Sequence, residues 1–135
     1  MERTLAIIKP DAVQRQLVGV LISEIEKNDF HIAAIKTQHL TPTQAAFFYD
    51  KHRVKPFYDS LVTYMSSGQL YALILEKPGA IEYWRHLMGP TNPKQAEPGS
   101  LRRLFAIDVQ QNSVHGADST QTAEREINFF FGEGG

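Results

Sequence analysis

The chain has 135 residues, a formal net charge of −1 and no cysteine. That length suits one domain, residues 1–135, with a real hydrophobic core. The near-neutral charge argues against a dedicated nucleic-acid binder, which carries a basic excess, and the absent cysteines exclude a disulfide framework, a thiolate metal site and a thiol nucleophile. No apolar stretch approaches the roughly 18–20 residues of a membrane span. The start, Met1 to Lys9, has too short an apolar run for a signal peptide. A soluble cytoplasmic protein is expected, without repeats or linkers.

Thr4 to Ile8 is a short apolar run stopped at Lys9-Pro10-Asp11, which predicts a buried strand. Val18, Leu21, Ile22 and Ile25 follow helical spacing and mark an amphipathic helix ending near Asn28. Phe30 to Leu40 carries His31, Ala33, Ile35 and Thr37 on one parity, a second strand. Thr41-Pro42-Thr43-Gln44 predicts a helix start: Thr41 caps, Pro42 takes the first helical position and Gln44 closes a capping box. That helix carries Ala45, Phe48 and Tyr49. Pro56 opens another helix bearing Phe57, Leu61 and Met65, with Gly68 suited to its C-terminal cap.

Leu70 to Leu75 is continuously apolar, as a central strand would be. Ile81, Trp84, Leu87 and Met88 define a helix stopped by Gly89-Pro90. A long irregular segment follows to Asn112, with one short helix from Pro98 to Leu104; such segments usually serve function or an interface. Val114 begins a last strand. Ser119 caps a final helix through Thr122, Ala123, Glu126, Ile127, Phe130 and Phe131, and residues 132–135 read as a frayed tail. Too few strands alternate with the helices for a doubly wound sheet, so a two-layer α+β sandwich is expected.

Asn112 through Ser119, with the dipeptide His115-Gly116, concentrates the chemical signal. The glycine permits close approach to the backbone, and a helix N-terminus beside an imidazole favours an anion. A phosphoryl acceptor fits these residues, and so does a surface or capping histidine. Neither a Walker A loop nor Gly-x-Gly-x-x-Gly occurs, so a phosphate site would need side chains. Candidates are Lys9 at a strand end with its head pointing out, Arg53 and Lys55 before Pro56, Arg85 opposite the apolar face of its helix, and Arg102. Each alone also fits a solvated surface charge. Tyr49 and Phe57 flank the Arg53/Lys55 pair and would suit a stacked nucleobase; both also fit the core. His31, His39, His52 and His86 have no metal-ligand spacing and read as structural or surface residues.

Together these pieces resemble the nucleoside diphosphate kinase family along nearly the whole chain, Thr4 to Phe131. The matching segments are Ile8-Lys9-Pro10-Asp11-Ala12-Val13, Phe48-Tyr49, Lys55-Pro56-Phe57-Tyr58, Met65-Ser66-Ser67-Gly68, Met88 to Pro93, Pro98 to Arg102, and Asn112 through Ser119. The resemblance implies a ferredoxin-like α+β sandwich, an antiparallel sheet covered by helices. It implies a two-step, ping-pong exchange in which a nucleoside triphosphate, typically ATP, gives its γ-phosphoryl group to a histidine that passes it to a nucleoside diphosphate. Carried over by motif, His115 is the nucleophile through Nδ1 and Glu126 holds the other ring nitrogen. Lys9, Tyr49, Arg85, Thr91, Arg102 and Asn112 contact phosphates or ribose. Phe57 stacks on the base with Val109 opposite, and Asp118 sits near the Mg²⁺ that arrives with the nucleotide. Arg53 and Lys55 lie close without an assigned contact. A homo-oligomer is implied, of unspecified order.

The chain departs from the family pattern in four places. Arg15-Gln16 stands where Arg-Gly is common; Arg103-Leu104 follows Arg102 in place of a small and often acidic residue; Ala117 replaces a common serine; and the chain stops soon after its last helix. Two rivals stand against an active kinase: a non-catalytic nucleotide-binding or regulatory module on the same fold, which predicts a missing catalytic residue, and a nucleic-acid binder, which the charge disfavours as a primary role.

Overall fold

A computed structural model describes residues 1–89, 100–101 and 114–132. In chain order these form β1 (Glu2–Ile8), α1 (Pro10–Gln14), α2 (Val18–Lys27), β2 (His31–Gln38), α3 (Pro42–Phe48), a 3-10 turn (Asp50–His52), α4 (Tyr58–Met65), β3 (Leu70–Lys77), α5 (Ala80–Met88), β4 (Val114–Gly116) and α6 (Thr120–Phe131). The four strands make one sheet in the order β2-β3-β1-β4, every neighbouring pair antiparallel. This is the ferredoxin-like α+β arrangement, with α3 and α4 inserted between β2 and β3.

The interior strands β1 and β3 are apolar on both parities because both faces are covered. On one face Ala6, Ile8, Leu73 and Leu75 pack with Leu21 and Ile25 of α2 and Trp84 and Met88 of α5. On the other, Leu5, Ile7, Ala72 and Ile74 pack with Phe48, Tyr49, Leu61 and Met65 of the α3–α4 insertion and Ile127 and Phe130 of α6. The sandwich therefore carries a second helical cover, and the crevice between that cover and β4 holds the site.

The capping box forms as expected: Gln44 N donates to Thr41 Oγ1 at 3.1 Å, and Thr41 N donates to Gln44 Oε1 at 2.9 Å. Ser119 caps α6, its Oγ accepting from Thr122 N at 3.1 Å. Two local expectations are corrected. The helix after Pro56 begins at Tyr58, with Phe57 as its N-cap. It ends at Ser66, whose Oγ donates back to Val62 O at 2.8 Å; Gly68 instead lies against Pro10 of α1. In β2, His31, Ala33, Ile35 and Thr37 are exposed, while Ile32 packs on the α2–α5 side and Ala34 on the α3–α4 side, because the register shifts between them.

Helices α1 and α2 both end in Schellman turns. Gln16 N reaches Val13 O at 3.0 Å and Leu17 N reaches Ala12 O at 2.9 Å; Asp29 N and Phe30 N make the same pair to Glu26 O and Ile25 O. Such turns need one residue in the left-handed region, normally glycine. Here Gln16 (φ 60°) and Asp29 (φ 66°) occupy it. Gln16 is the departure from Arg-Gly, and its structural consequence is a side chain held where L residues are strained. The short helix expected from Pro98 to Leu104 lies outside the described residues except for Ser100 and Leu101, both buried. The tail from 133 also lies outside them.

Candidate active site

His115 sits at the middle of β4, opposite Ile7 of β1. Strand alternation turns its neighbours Val114 and Gly116 toward α5 and His115 itself toward α3 and α6. The close approach that Gly116 permits is made by the protein: a Cβ there would lie 2.5 Å from Trp84 Cδ1, 2.6 Å from Trp84 Nε1 and 2.8 Å from Met88 Cε. Trp84 Nε1 donates to His115 O at 3.0 Å. The indole thus braces the strand from behind while the imidazole faces the crevice.

Glu126 comes to the imidazole because Ser119 starts α6 two turns earlier and the helix packs along β1. His115 Nε2 lies 3.0 Å from Glu126 Oε1 and 3.2 Å from Oε2. The carboxylate is almost fully buried, at 2% side-chain exposure against 17% for the imidazole. A carboxylate can only accept, so the proton of the neutral ring belongs on Nε2 and the lone pair on Nδ1. Phe48 (5.6 Å) and Tyr49 (6.1 Å) meet the imidazole edge to face, limiting its rotation.

Tyr49 is both core and site: it is buried in the α3 cluster and its ring faces His115. Phe57 is 45% exposed at the start of α4, as a surface that stacks on a ligand must be. Between them lies His52, 6.4 Å from the Tyr49 ring and 5.5 Å from the Phe57 ring. His52 was expected as a structural or surface residue, with no part in the site. Its neighbours at −3 and +5 were the available signal, because both were already singled out as aromatic candidates. Desolvation holds its imidazole below the usual histidine value, helped by the charges of Lys51 and Lys55 and by His115; Asp118 opposes them.

Lys9 also departs from expectation. It is 6% exposed, and β1 is an interior strand, so it does not stand at a sheet margin. It shares parity with Ile7, and hence the face of His115, about 7 Å further along the strand. Asp118 is exposed. A hydrogen bond with Thr122 holds its carboxyl below the usual aspartate value, and the charges of Lys51 and Arg85 act the same way. Arg85 and Asp118 line one open cleft of about 360 Å³ with Glu2, Glu82 and Ser119. Arg53 turns to Asp50 at 3.4 Å, and Lys55 is exposed. Ala117 is buried with Ile81 and Ala123, so apolar packing takes the place of a hydroxyl. Thr91, Arg102, Val109 and Asn112 lie outside the described residues.

Among the described residues no group of three or more His, Cys, Asp or Glu side chains is placed to hold a metal ion. Asp118 is a single hard oxygen donor kept anionic at the crevice rim. That suits an ion bound chiefly by nucleotide phosphates and water, and not one caged by protein.

An imidazole oriented by a buried carboxylate, set against aromatic rings with Lys9 on its face of the sheet, can accept and return a phosphoryl group, the chemistry of a phosphotransferase. Comparison with known proteins specifies the class further. The family model for nucleoside diphosphate kinase matches residues 2–134. A nucleoside diphosphate kinase of Lawsonia intracellularis is 50% identical over 131 residues, 97% of this chain and 95% of that protein. One of Histophilus somni is 52% identical over 133 residues, covering 98% and 94%. The crystal structure of the Aquifex aeolicus nucleoside diphosphate kinase superposes with a TM-score of 0.94 at 40% identity, over 96% of this chain and 94% of that one. That of Encephalitozoon cuniculi gives 0.95 at 32% identity, over 98% and 90%. The chain belongs to the nucleoside diphosphate kinase family, enzymes that move a phosphoryl group from a nucleoside triphosphate to a nucleoside diphosphate by a ping-pong route.

Proposed function

We propose that His115 is the residue through which this chain performs that exchange. The observation that carries the reading is the paired contact of Nε2 with Glu126, because it leaves Nδ1 facing the crevice as the nucleophile. In the first half-reaction Nδ1 attacks the γ-phosphorus of ATP. The N–P bond forms, the bond from phosphorus to the β,γ-bridging oxygen breaks, and ADP leaves with that electron pair. In the second, a terminal β-phosphate oxygen of another diphosphate attacks the same phosphorus and the N–P bond breaks, restoring the imidazole. Glu126 keeps the Nε2–H tautomer and stabilises the cationic ring of the intermediate, as the aspartate of a Ser-His-Asp triad does.

Transfer of this kind spreads charge over the phosphoryl oxygens, so positioned cations supply most of the catalysis. Lys9, Arg85 and Arg102 fill that role, with Tyr49, Thr91 and Asn112 contacting phosphate or ribose. Phe57 stacks on the base, with Val109 on its other side; stacking reads no hydrogen-bond pattern and so tolerates many bases. Mg²⁺ travels with the nucleotide beside Asp118 and, when bound, neutralises phosphate charge. The enzyme is a single domain over 1–135, homo-oligomeric as the family resemblance implies and cytoplasmic as its cysteine-free composition supports. The charge of −1 argues against nucleic acid as the primary partner. The non-catalytic alternative is not favoured, since His115, Glu126, Lys9 and Tyr49 are all present.

The test is a single turnover with γ-labelled ATP and Mg²⁺, chased with unlabelled GDP. Acid-labile label should appear on the protein, move to GTP, and be absent from His115→Ala. Label persisting on that variant, or exchange at a normal rate in it, would reject His115 as the nucleophile.

A further inference from the structure

Lys9 is tightly fixed by its backbone. As the residue before Pro10 it is restricted to extended backbone, and it is observed there at φ −75° and ψ 162°. Its carbonyl accepts from Ala12 N at 3.0 Å and Val13 N at 3.1 Å, which makes it the N-cap of α1. With both neighbouring torsions restricted, the aim of Lys9 depends on how α1 is tilted against the end of β1.

One side chain from elsewhere in the chain grips that turn. Asp11 N, among the first amides of α1 and so lacking a partner within the helix, donates to Tyr64 Oη at 3.1 Å. Tyr64 Oη donates in turn to Asp11 Oδ1. One phenol therefore serves both the backbone and the side chain of the same residue. Asp11 is 4% exposed, with Arg15 Nη1 4.0 Å from its other oxygen. Burial, and then the bond to Asp11, push the Tyr64 phenol up, so it stays protonated and able to donate. Tyr64 belongs to α4, whose other end carries Phe57, about 10 Å away along the helix. Helix α4 is further tied to α3 by Tyr58 Oη donating to Ala46 O at 3.1 Å.

We propose that Tyr64, through its reciprocal hydrogen bonds with Asp11, is a positioning residue for Lys9, and that α4 thereby sets the distance between the phosphate-binding cation and the base-stacking Phe57. The proposal rests on the role assigned to Lys9. The hydroxyl does no chemistry; it holds the turn that aims the ammonium.

The experiment is a double-mutant cycle on exchange kinetics, with unfolding temperatures measured alongside. Lys9→Ala alone should lower kcat by about 100-fold. Tyr64→Phe, which removes only the hydroxyl, should lower kcat by about tenfold with KM within about twofold of wild type. In the Lys9→Ala background, Tyr64→Phe should cost less than about twofold, because its route to the reaction is gone. Asp11→Asn keeps an acceptor for the phenol and should lose less than Tyr64→Phe, so the prediction does not depend on one variant. Losses that multiply across the cycle would show a merely structural role and overturn the proposal, as would Tyr64→Phe at wild-type kcat. Lys9→Ala at wild-type kcat would instead overturn the reading of Lys9, and the proposal with it.

Discussion

Gly116→Ala tests the reasoning about β4 most directly. The added methyl would lie 2.5 Å from Trp84 Cδ1 and 2.8 Å from Met88 Cε, whereas carbon atoms settle at about 3.5–4.0 Å. About 1 Å of movement is required. The indole is fully buried and edge-on to Phe30 at 6.1 Å, so it can retreat only by crowding that ring and stretching its 3.0 Å bond to His115 O. Otherwise the three-residue strand must lift away from β1. Overpacking costs about 1–3 kcal/mol and the lost hydrogen bond about 1 kcal/mol, giving about 2–4 kcal/mol in total. For a chain of this length that is a fall of about 5–15 °C in Tm. Because the displaced residue adjoins His115, kcat/KM should also fall, by about tenfold. Gly19→Ala is the internal control. Gly19 lies in α2 with nothing within 4 Å of a built Cβ, so the same substitution there should stabilise by about 0.5–1 kcal/mol. Thermal unfolding followed by circular dichroism and an exchange assay give both numbers. A Gly116→Ala protein within about 2 °C of wild type and equally active would refute the account of why this histidine is followed by glycine.

Two further outcomes follow from particular residues. Gln16→Gly should raise Tm by about 2–4 °C, because relief of the left-handed strain, about 1–2 kcal/mol, exceeds the added freedom of glycine in the unfolded chain; an unchanged or lower Tm would show that the Schellman turn accommodates glutamine without strain. His52 should make the fold acid-sensitive: with its value depressed in the fold, the unfolded chain binds the extra proton as pH falls through about 6.5, so stability drops from there toward the folded value. Tm against pH from 7.5 to about 5 should be flatter in His52→Gln, and identical slopes in the two proteins would refute it.

What was legible in the sequence was whatever its neighbours in the chain determine. The apolar runs of β1 and β3, the capping box at Thr41 and the cap at Ser119 each depend on a few consecutive residues, and each formed where expected. What escaped depends on partners far along the chain. The register shift in β2 sends Ile32 and Ala34 to opposite faces of the sheet, which no alternation along the strand could have shown. Lys9 looked like an exposed strand end because the sheet order, which puts β4 outside β1, is a global fact. Tyr64 meets Asp11 across 53 positions; His52 is the exception, since its ring partners Tyr49 and Phe57 stand close by in the chain. Gly116 shows why such errors run in one direction. A glycine beside a reactive side chain invites a ligand as the close visitor, but on a strand the two residues necessarily face opposite ways. Whatever occupies the space over Gly116 cannot be what meets His115, and a buried tryptophan behind the strand serves the reaction by holding the strand still.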